Sequence, residues 1–388
     1  MKQILLLLWA FILLIGCSPR NRDDKELKII VVNPDDAQEN INLSEISCGV
    51  RYVPLQTDDN CLIGEIDKVR LQNGFIYLSD NKTVFKFTDK GDFVSALNKK
   101  GQGPDEYTGI TDFIADEAGN ILILNNKKIR VYDPRGVMKK SIALPDGAST
   151  FVKDGDNILM YSGYIGYYDG LNENSYRLKT LDLNTETIVN KQLRMDDKKA
   201  KYLYVLDPAN FSFSDKNIYL SEAYNDTVYQ IIDGKAKPAL YIDFAGNNIP
   251  APFFNSEYSD IKDFTDNVEK YSYSRYSGMF MEGQNGYFID FVKNRKLFFC
   301  YAYKDGKKAT VFNGIKDDVS LHSFPIPLLG DWTMNILVSG DKLIILAQPL
   351  DIMEYARENL TPAQQKEVAE VIKFTSEDQN PVLLIVDF

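Results

Sequence analysis

Six short apolar segments, each preceded by a turn containing glycine, asparagine or aspartate, recur along this chain of 388 residues. Tight turns followed by β-prone apolar runs are typical of proteins in which each repeat forms one small sheet. The repetition favours a toroidal β fold over an enzyme built on a single core. The segments are Phe75–Asp80, Ile121–Asn125, Ile158–Ser162, Ile218–Glu222, Tyr287–Phe291 and Leu343–Ala347.

The first two segments are followed by further strand-like runs that give the length of a repeat. Thr83–Thr88 and Phe93–Leu97 follow the first segment, and Ile129–Asp133 and Val137–Leu144 follow the second. Units of several strands within about 40 residues have the length of one propeller blade. We therefore predict an all-β chain, a six-bladed β-propeller with small helical insertions, in one domain over residues 31–388.

Two strand-like runs lie outside the repeats, one near each end of this region. Val50–Leu55 precedes the first full repeat, and Pro381–Phe388 ends the sequence. A ring is stabilised when a strand from one end completes the blade at the other, because this pairing removes an exposed sheet edge. We predict that the N-terminal strand pairs with the last blade.

Uneven spacing between the apolar segments indicates insertions within the ring. One is Tyr164–Tyr176, and a second, Pro252–Phe280, has apolar residues at helical spacing. A third begins at Thr361, where Pro362 and Gln364 complete a helix-capping pattern that predicts a helix to about Phe374. These insertions are expected to decorate blades and not to form a second domain.

The N-terminus has the pattern of an export signal. Lys2 is followed by an apolar stretch from Ile4 to Ile15, which is too short to span a bilayer as a helix. The sequence Leu14-Ile15-Gly16-Cys17 resembles the lipobox of bacterial lipoproteins. We predict a signal peptide at 1–16, a lipidated Cys17 and a flexible tether over 17–30. The protein is then an outer membrane lipoprotein, and both the periplasmic face and the cell surface remain open.

The bulk composition excludes several classes of function. The net charge of −11 disfavours binding to nucleic acid or to anionic lipid, so the lipid at Cys17 is the one expected membrane contact. Three further cysteines are too few for a disulfide framework, and Cys48 with Cys61 is the one pair near enough in sequence for a local bridge. The single histidine, His322, disfavours zinc sites and His-dependent nucleophiles. We expect a monomer.

With these features in place, the chain resembles the six-bladed β-propeller lipoproteins of Bacteroidota, related in form to NHL and TolB-like propellers. The most specific match is Lys100-Gly-Gln-Gly-Pro-Asp-Glu-Tyr107, which is similar to a G-x-G-P-x-E-[YF] segment of that family, and Tyr52–Thr57 resembles the segment before its first blade. The resemblance covers most of residues 48–388. It implies a fold and a cell-envelope location, but no substrate.

The glycine-rich segment has two interpretations. Gly101 and Gly103 permit backbone angles closed to other residues, Pro104 fixes the next bend, and Tyr107 completes the motif. Glu106 either caps backbone amides in an inter-blade turn or faces the channel as a ligand-binding residue. The segment is not a dinucleotide-binding fingerprint, because a proline follows the second glycine.

Tyrosines concentrate in the insertions, where rigid amphipathic rings either pack the loops or contact a sugar or peptide. The candidates for ligand binding are Tyr164, Tyr167, Tyr168, Tyr273, Arg275 and Tyr276. We expect a binding module without catalysis, which recognises a glycan, a peptide or a partner protein of the envelope.

The alternative is a calcium-dependent hydrolase or lyase of the lactonase type, since some propellers hold ions in the channel on carboxylate oxygens. Glu65, Asp112 and Asp290 lie near predicted strand ends and are the candidates for metal ligands. No ligand spacing is diagnostic, so we expect no cofactor, with calcium as the alternative.

Overall fold

The computed structural model describes residues 27–125, 127–164, 170–203, 210–214, 217–326, 328, 335–376 and 378–388. The predicted signal peptide and Cys17 lie outside the described residues. None of the helices within these ranges has the length and apolar character that crossing a bilayer requires.

The N-terminal segment runs past several sheets before the first full blade. It contains strands β1 (Lys28–Val31), β2 (Ile41–Asn42) and β3 (Gly49–Pro54), and the short helix α1 (Leu43–Ile46). The predicted tether, residues 17–30, extends too far. Strand β1 already begins at Lys28 and pairs with β19 along its whole length, so residues 28–30 belong to the fold.

Blades 1 to 3 each contain four antiparallel strands in chain order. Blade 1 comprises β4 (Lys68–Gln72), β5 (Phe75–Ser79), β6 (Thr83–Thr88) and β7 (Phe93–Asn98). Blade 2 comprises β8 (Asp112–Ala115), β9 (Ile121–Asn125), β10 (Lys128–Tyr132) and β11 (Met138–Ala143). Blade 3 comprises β12 (Thr150–Asp154), β13 (Asn157–Tyr161), β14 (Tyr176–Asp182) and β15 (Thr187–Arg194).

Helix α2 (Asp197–Leu203) leads to blade 4, which comprises β16 (Asn210–Ser214), β17 (Asn217–Glu222), β18 (Asn225–Ile232) and β19 (Lys235–Asp243). Strand β1 adds to its outer edge in parallel with β19. Helix α3 (Ile261–Lys270) precedes blade 5, which comprises β20 (Arg275–Glu282), β21 (Gly286–Lys293), β22 (Lys296–Tyr303) and β23 (Thr310–Phe312).

The last two blades include strands from the N-terminal segment. Blade 6 is a small sheet of β24 (Ile315–Asp317) and β25 (Phe324–Ile326), with β2 added in parallel to β24. Blade 7 comprises β26 (Ile336–Ser339), β27 (Lys342–Ala347) and β28 (Val382–Asp387), and β3 forms its outer edge. Helices α4 (Pro349–Asn359) and α5 (Pro362–Ile372) lie between β27 and β28.

The β-propeller prediction is confirmed, but the predicted number of six blades is wrong: the described residues form seven sheets. The first strands of blades 1 to 5 contact one another in succession, and β26 contacts β4. The sequence does not predict blade 6, because its strands contain only two or three residues each and lack the apolar run that marks the other six blades.

The predicted closure of the ring is present. Strand β3 pairs antiparallel with β28, from Gly49 opposite Asp387 to Pro54 opposite Val382. Val53 and Leu55 are buried in the same cluster as Leu383, so the pairing adds apolar packing to the backbone hydrogen bonds.

Local sequence explains much of the strand geometry. Residues 121–124 of β9 are all buried, as expected for a strand packed between neighbouring blades, whereas β15 alternates at the surface. Asn73 and Gly74 both have positive φ angles, 55° and 75°, which matches the two-residue hairpin turn between β4 and β5.

The predicted helical insertions are present with shorter bounds. Helix α3 buries Phe264 and Val268, and the second insertion ends at residue 274 because Arg275 begins β20. In α5, the Thr361 side chain accepts from the Gln364 amide and the Gln364 side chain accepts from the Thr361 amide, so the capping box forms. The helix ends at Ile372. Helices α1, α2 and α4 were not predicted.

Stepwise shortening from the N-terminus tests the closure of the ring. A chain that starts at residue 33 loses only β1, and we expect a modest fall in melting temperature. A chain that starts at residue 57 also loses β2 and β3, which exposes the edge of β28, and we expect it not to fold cooperatively. Circular dichroism melts against a chain that starts at residue 27 measure both effects. An unchanged melting temperature for the shortest chain would refute the closure.

Candidate functional site

The long connections of the propeller lie on one face, which we call the upper face. The first strand of each four-stranded blade begins on this face, as Lys68, Asp112 and Thr150 show for β4, β8 and β12. Strand alternation in the four-stranded blades therefore brings the connection from second to third strand, and the connection from one such blade to the next, to the same side. Within the described ranges these include residues 99–111, 162–164, 170–175, 195–203, 244–274 and 348–376. The opposite, lower face has only short turns within the described ranges.

Aromatic side chains from three insertions pack together over blades 3 to 5 and form what we call the cap. Its main residues are Tyr164, Tyr202, Tyr224, Phe253, Phe254, Tyr258, Phe264, Val268 and Tyr273. The Tyr202 ring stacks on that of Phe264, with centroids 5.0 Å apart. Burial of this many rings fixes the insertions against the blades, and offset and edge contacts between them add to the stabilisation.

Two predicted ligand residues are used for packing, Tyr164 in the cap and Tyr276 in the core of blades 4 and 5. Tyr164 is buried over the Arg177 guanidinium, 5.5 Å from the ring centroid, and burial raises the pKa of its phenol to about 12. Tyr276 is fully buried and its hydroxyl donates to the Met279 carbonyl oxygen at 2.9 Å, which argues against contact with a ligand. Tyr167 and Tyr168 lie outside the described residues.

Tyr273 and Arg275 remain partly accessible at the edge of the cap. The Tyr273 ring stacks on that of Tyr271, with centroids 5.8 Å apart, and Tyr271 is 56% exposed. Arg275 lies over the Tyr224 ring at 5.6 Å. An exposed tyrosine pair held by packing from below is a surface on which a sugar ring or peptide side chain can stack.

Beneath the cap, a buried ion pair joins blade 3 to blade 4. The Arg177 side chain is 12% exposed and Glu222 is 2% exposed, and the two form a direct ion pair. Asn225 donates to the same carboxylate oxygen at 2.6 Å. Burial, reinforced by the Glu222 charge, raises the pKa of the Tyr161 phenol well above its ordinary value. The pair orders this part of the upper face, because breaking it would leave a buried charge uncompensated.

The axis of the ring contains two cavities that share Arg70. The upper chamber, of about 200 Å³, is lined by residues that include Lys68, Thr150 and Met279. The lower chamber, of about 260 Å³, is lined by residues that include Lys153 and Ser339. The first strands of six blades contribute to these walls, so the chambers form the central channel.

Asp112, a predicted metal candidate, is instead committed to protein contacts. Its carboxylate accepts from Arg70 Nη2 at 2.9 Å, from the Thr150 hydroxyl and from the Phe151 amide at 3.1 Å. Burial opposes ionisation, but the Arg70 charge and these hydrogen bonds hold the pKa of Asp112 below its ordinary value. The carboxylate therefore links the first strands of blades 1, 2 and 3.

The other metal candidates do not join Asp112. Glu65 is exposed in the connection before β4, and Asp290 is buried in β21, where it accepts from the Met279 amide at 3.0 Å. Within the ranges that the structure describes, no three His, Cys, Asp or Glu side chains are grouped so that they could hold a metal ion.

The glycine-rich motif forms a turn between blades 1 and 2. Glu106 accepts from the Gly103 amide at 2.7 Å, and a Cβ atom at Gly101 would lie 1.9 Å from its carboxylate. The Tyr107 hydroxyl donates to the Lys82 carbonyl oxygen at 2.8 Å, and its ring packs edge-on against Tyr132. Pro104 is exposed. This geometry matches the capping interpretation of Glu106.

The structure also identifies residues that sequence reasoning missed. Tyr271 belongs to the tyrosine-rich second insertion but is not among the predicted ligand-binding residues, although its aromatic neighbour two residues later is a usable signal. Arg70 and Lys153 lie in strands of blades 1 and 3, and their meeting at the channel depends on ring closure. Nothing in their local sequence marks them.

Seven small sheets around an axial channel, with the long connections on one face, define a β-propeller. The chain belongs to the family described as domain of unknown function DUF4934, which matches residues 27–387. No curated protein matches the chain.

One solved structure shows the same fold. It is a protein from Bacteroides fragilis NCTC 9343 whose name describes it only as assigned to the exported proteins. It is 18% identical to this chain, with a TM-score of 0.73. The match covers 93% of this chain and 99% of that chain. The extracellular domain of a protein from B. thetaiotaomicron, assigned as a one-component system, is 13% identical over 76% of this chain and 32% of that chain. Its TM-score is 0.39.

A double-mutant cycle tests the role of Glu106. Gly101→Ala would push the carboxylate away from the Gly103 amide, so it should cost about as much as Glu106→Ala, about 1 kcal/mol of unfolding free energy. The double variant should cost little more than either single change. Urea denaturation measures all three. Additive losses would contradict the capping role.

The same substitution at two buried aspartates should have opposite effects. Burial raises the pKa of Asp290 from 3.8 to about 7, so the stability that this group contributes is complete below pH 4 and is lost as the pH rises to 7. Asp290→Asn should therefore stabilise the fold at pH 8 by a few kcal/mol, about 4 at most, and change it little at pH 4.

Asp112→Asn is the matched comparison, because the pKa of Asp112 is lowered. It should destabilise the fold by about 3 kcal/mol at pH 8, with a smaller effect as the pH falls below 4. Urea denaturation of both variants at pH 4 and at pH 8 gives the four changes in unfolding free energy. Destabilisation by Asp290→Asn at pH 8 would contradict a raised pKa of Asp290 in the folded state.

Proposed function

We propose that this chain is a lipid-anchored binding module of the cell envelope, which recognises a glycan, a peptide or a partner protein and catalyses no reaction. The anchor is the lipid on Cys17, and the location is the outer membrane. The recognition surface is the upper face of the propeller, and its best-defined part is the Tyr271–Tyr273 pair at the edge of the cap.

One observation carries this proposal: the insertions of the ring are concentrated on one face, where they hold accessible tyrosine rings on a rigid aromatic base. Tyr273 packs edge-on against Phe253, with centroids 5.4 Å apart, and stacks on the more exposed Tyr271. Rings fixed in this way lose little conformational entropy when they bind, so they suit recognition of a ligand.

Two further findings support the location and the absence of a reaction. The similar Bacteroides fragilis protein is assigned to the exported class, which agrees with the export signal of this sequence. Asp112 is occupied by Arg70 and Thr150, so its carboxylate is engaged in a structural contact and not held open for a reacting group.

Binding to a glycan microarray and to a tripeptide library tests the proposal. We expect saturable binding of at least one probe by the full chain. Because buried or stacked tyrosines often dominate binding energy, the Tyr271→Ala, Tyr273→Ala double variant should bind at least about tenfold more weakly. Tyr303→Ala, which removes a half-buried tyrosine from blade 5, is the matched control and should leave the affinity unchanged.

Thermal melts in excess calcium and after EDTA treatment distinguish the enzymatic alternative. A binding module without a metal predicts the same melting temperature in both conditions. A large rise with calcium would mean that the folded state binds the ion. Together with turnover of any bound probe, that rise would overturn the proposal in favour of a calcium-dependent hydrolase or lyase.

A further inference from the structure

The lower chamber of the channel carries positive charge although the chain as a whole is acidic. Its charged lining residues are Arg70 and Lys153. Asp112, which pairs with Arg70, is not among the described residues that line the chamber, nor is any other aspartate or glutamate. The net charge of the chain is −11. A cavity with low-dielectric walls and charge of one sign concentrates ligands of the opposite sign.

Arg70 is held in a fixed orientation that leaves part of its guanidinium unused. Nε donates to the Phe113 carbonyl oxygen at 3.3 Å, and Nη2 donates to both oxygens of Asp112. In the described part of the chain, no hydrogen bond from Nη1 is found. Asp112 is already saturated by Thr150 and backbone amides, so it does not compete for this nitrogen.

Two further polar groups of the lower chamber, on Lys153 and Ser339, are also placed for an anion. Lys153 forms no ion pair with any residue that the structure describes. Ser339 is 4% exposed and its Oγ accepts from the Leu71 amide at 2.7 Å, so its own hydrogen is available to donate. Two cations and one hydroxyl donor therefore surround a single cavity.

The walls and the volume limit what can enter. Phe213, which is half-buried, contributes aromatic surface to the lower chamber. Pockets that enclose drug-sized ligands measure about 300–1,000 Å³, so a cavity of 260 Å³ suits one small unit and not an extended chain. An aromatic wall suits a sugar ring or a short apolar side chain.

From these observations we infer that the lower chamber binds a carboxylate carried on a single small residue, with Arg70 Nη1 and the Lys153 ammonium group as the charged contacts. Acidic sugars and the C-terminal residues of peptides both present this group. The inference rests on the proposed binding function and names the ligand chemistry of a second position, at the axis of the ring.

Isothermal titration calorimetry on the full chain tests the inference. The probes are sodium galacturonate with galactose as its neutral counterpart, and N-acetylalanine with N-acetylalanine amide as its neutral counterpart. We expect at least one carboxylate to bind at least tenfold more tightly than its neutral counterpart. Galacturonate alone would identify acidic sugars as the source, and N-acetylalanine alone would identify peptide C-termini.

Lys153→Gln tests the site without disturbing Asp112. Because charge-assisted hydrogen bonds are the strongest polar contacts, it should weaken carboxylate binding about tenfold with an unchanged melting temperature. Lys235→Gln makes the same charge change on the exposed rim of blade 4 and should leave the affinity unchanged. Arg70 is not the first choice, because its removal leaves Asp112 buried without a counter-charge.

Equal binding of charged and neutral probes, binding of none of them, or no effect of Lys153→Gln would overturn the inference. The Tyr271→Ala, Tyr273→Ala variant separates this failure from failure of the proposed function. Microarray binding that is lost in the tyrosine variant but kept in Lys153→Gln would leave the upper-face function in place and remove the channel site.

Discussion

The order of the inner ring depends on the carboxylate of Asp112, which is shared by three blades. Arg70 comes from blade 1, Asp112 from blade 2, and Thr150 with the Phe151 amide from blade 3. A buried charge is costly unless its hydrogen bonds are satisfied, and here each oxygen has several donors. Register errors between these blades would leave the charge unpaired, so the contact specifies how three otherwise similar sheets are arranged. It also orients Arg70 at the junction of the two chambers.

Other polar contacts join the remaining blades in the same manner. Arg177 and Glu222 connect blades 3 and 4, and the Tyr219 hydroxyl of blade 4 donates to Glu282 of blade 5 at 2.7 Å. Between blades 7 and 6, the Tyr52 hydroxyl donates to buried Asp317. Apolar packing between sheets is weakly directional, whereas these contacts have one geometry each. Their distribution explains how a ring of divergent repeats keeps a single arrangement.

Local signals were sufficient for much of the fold and insufficient for the channel. The hairpin at Asn73 and Gly74 and the capping box at Thr361 depend on residues a few positions apart, so the sequence displays them directly. Blade 6 depends on strands too short to produce an apolar run. The chamber with Arg70 and Lys153 depends on strands brought together by the whole ring. Asp112 is a predicted metal ligand in the sequence, because nothing near it marks Arg70, 42 positions away, as its partner. Composition suggested tyrosine recognition, but only packing separates buried Tyr276 from exposed Tyr271.

The path of the N-terminal segment has a consequence for the order of folding. Strands β1, β2 and β3 pair with β19, β24 and β28, and Gln38 bridges to Phe312 of blade 5, so each partner belongs to the second half of the chain. Contacts of such large sequence separation form slowly, because a long loop must close before they stabilise anything. Blades 1 to 3 contain their own partners and can assemble earlier. Strands β1, β2 and β3 are therefore expected to be among the last parts of the propeller to reach their native positions.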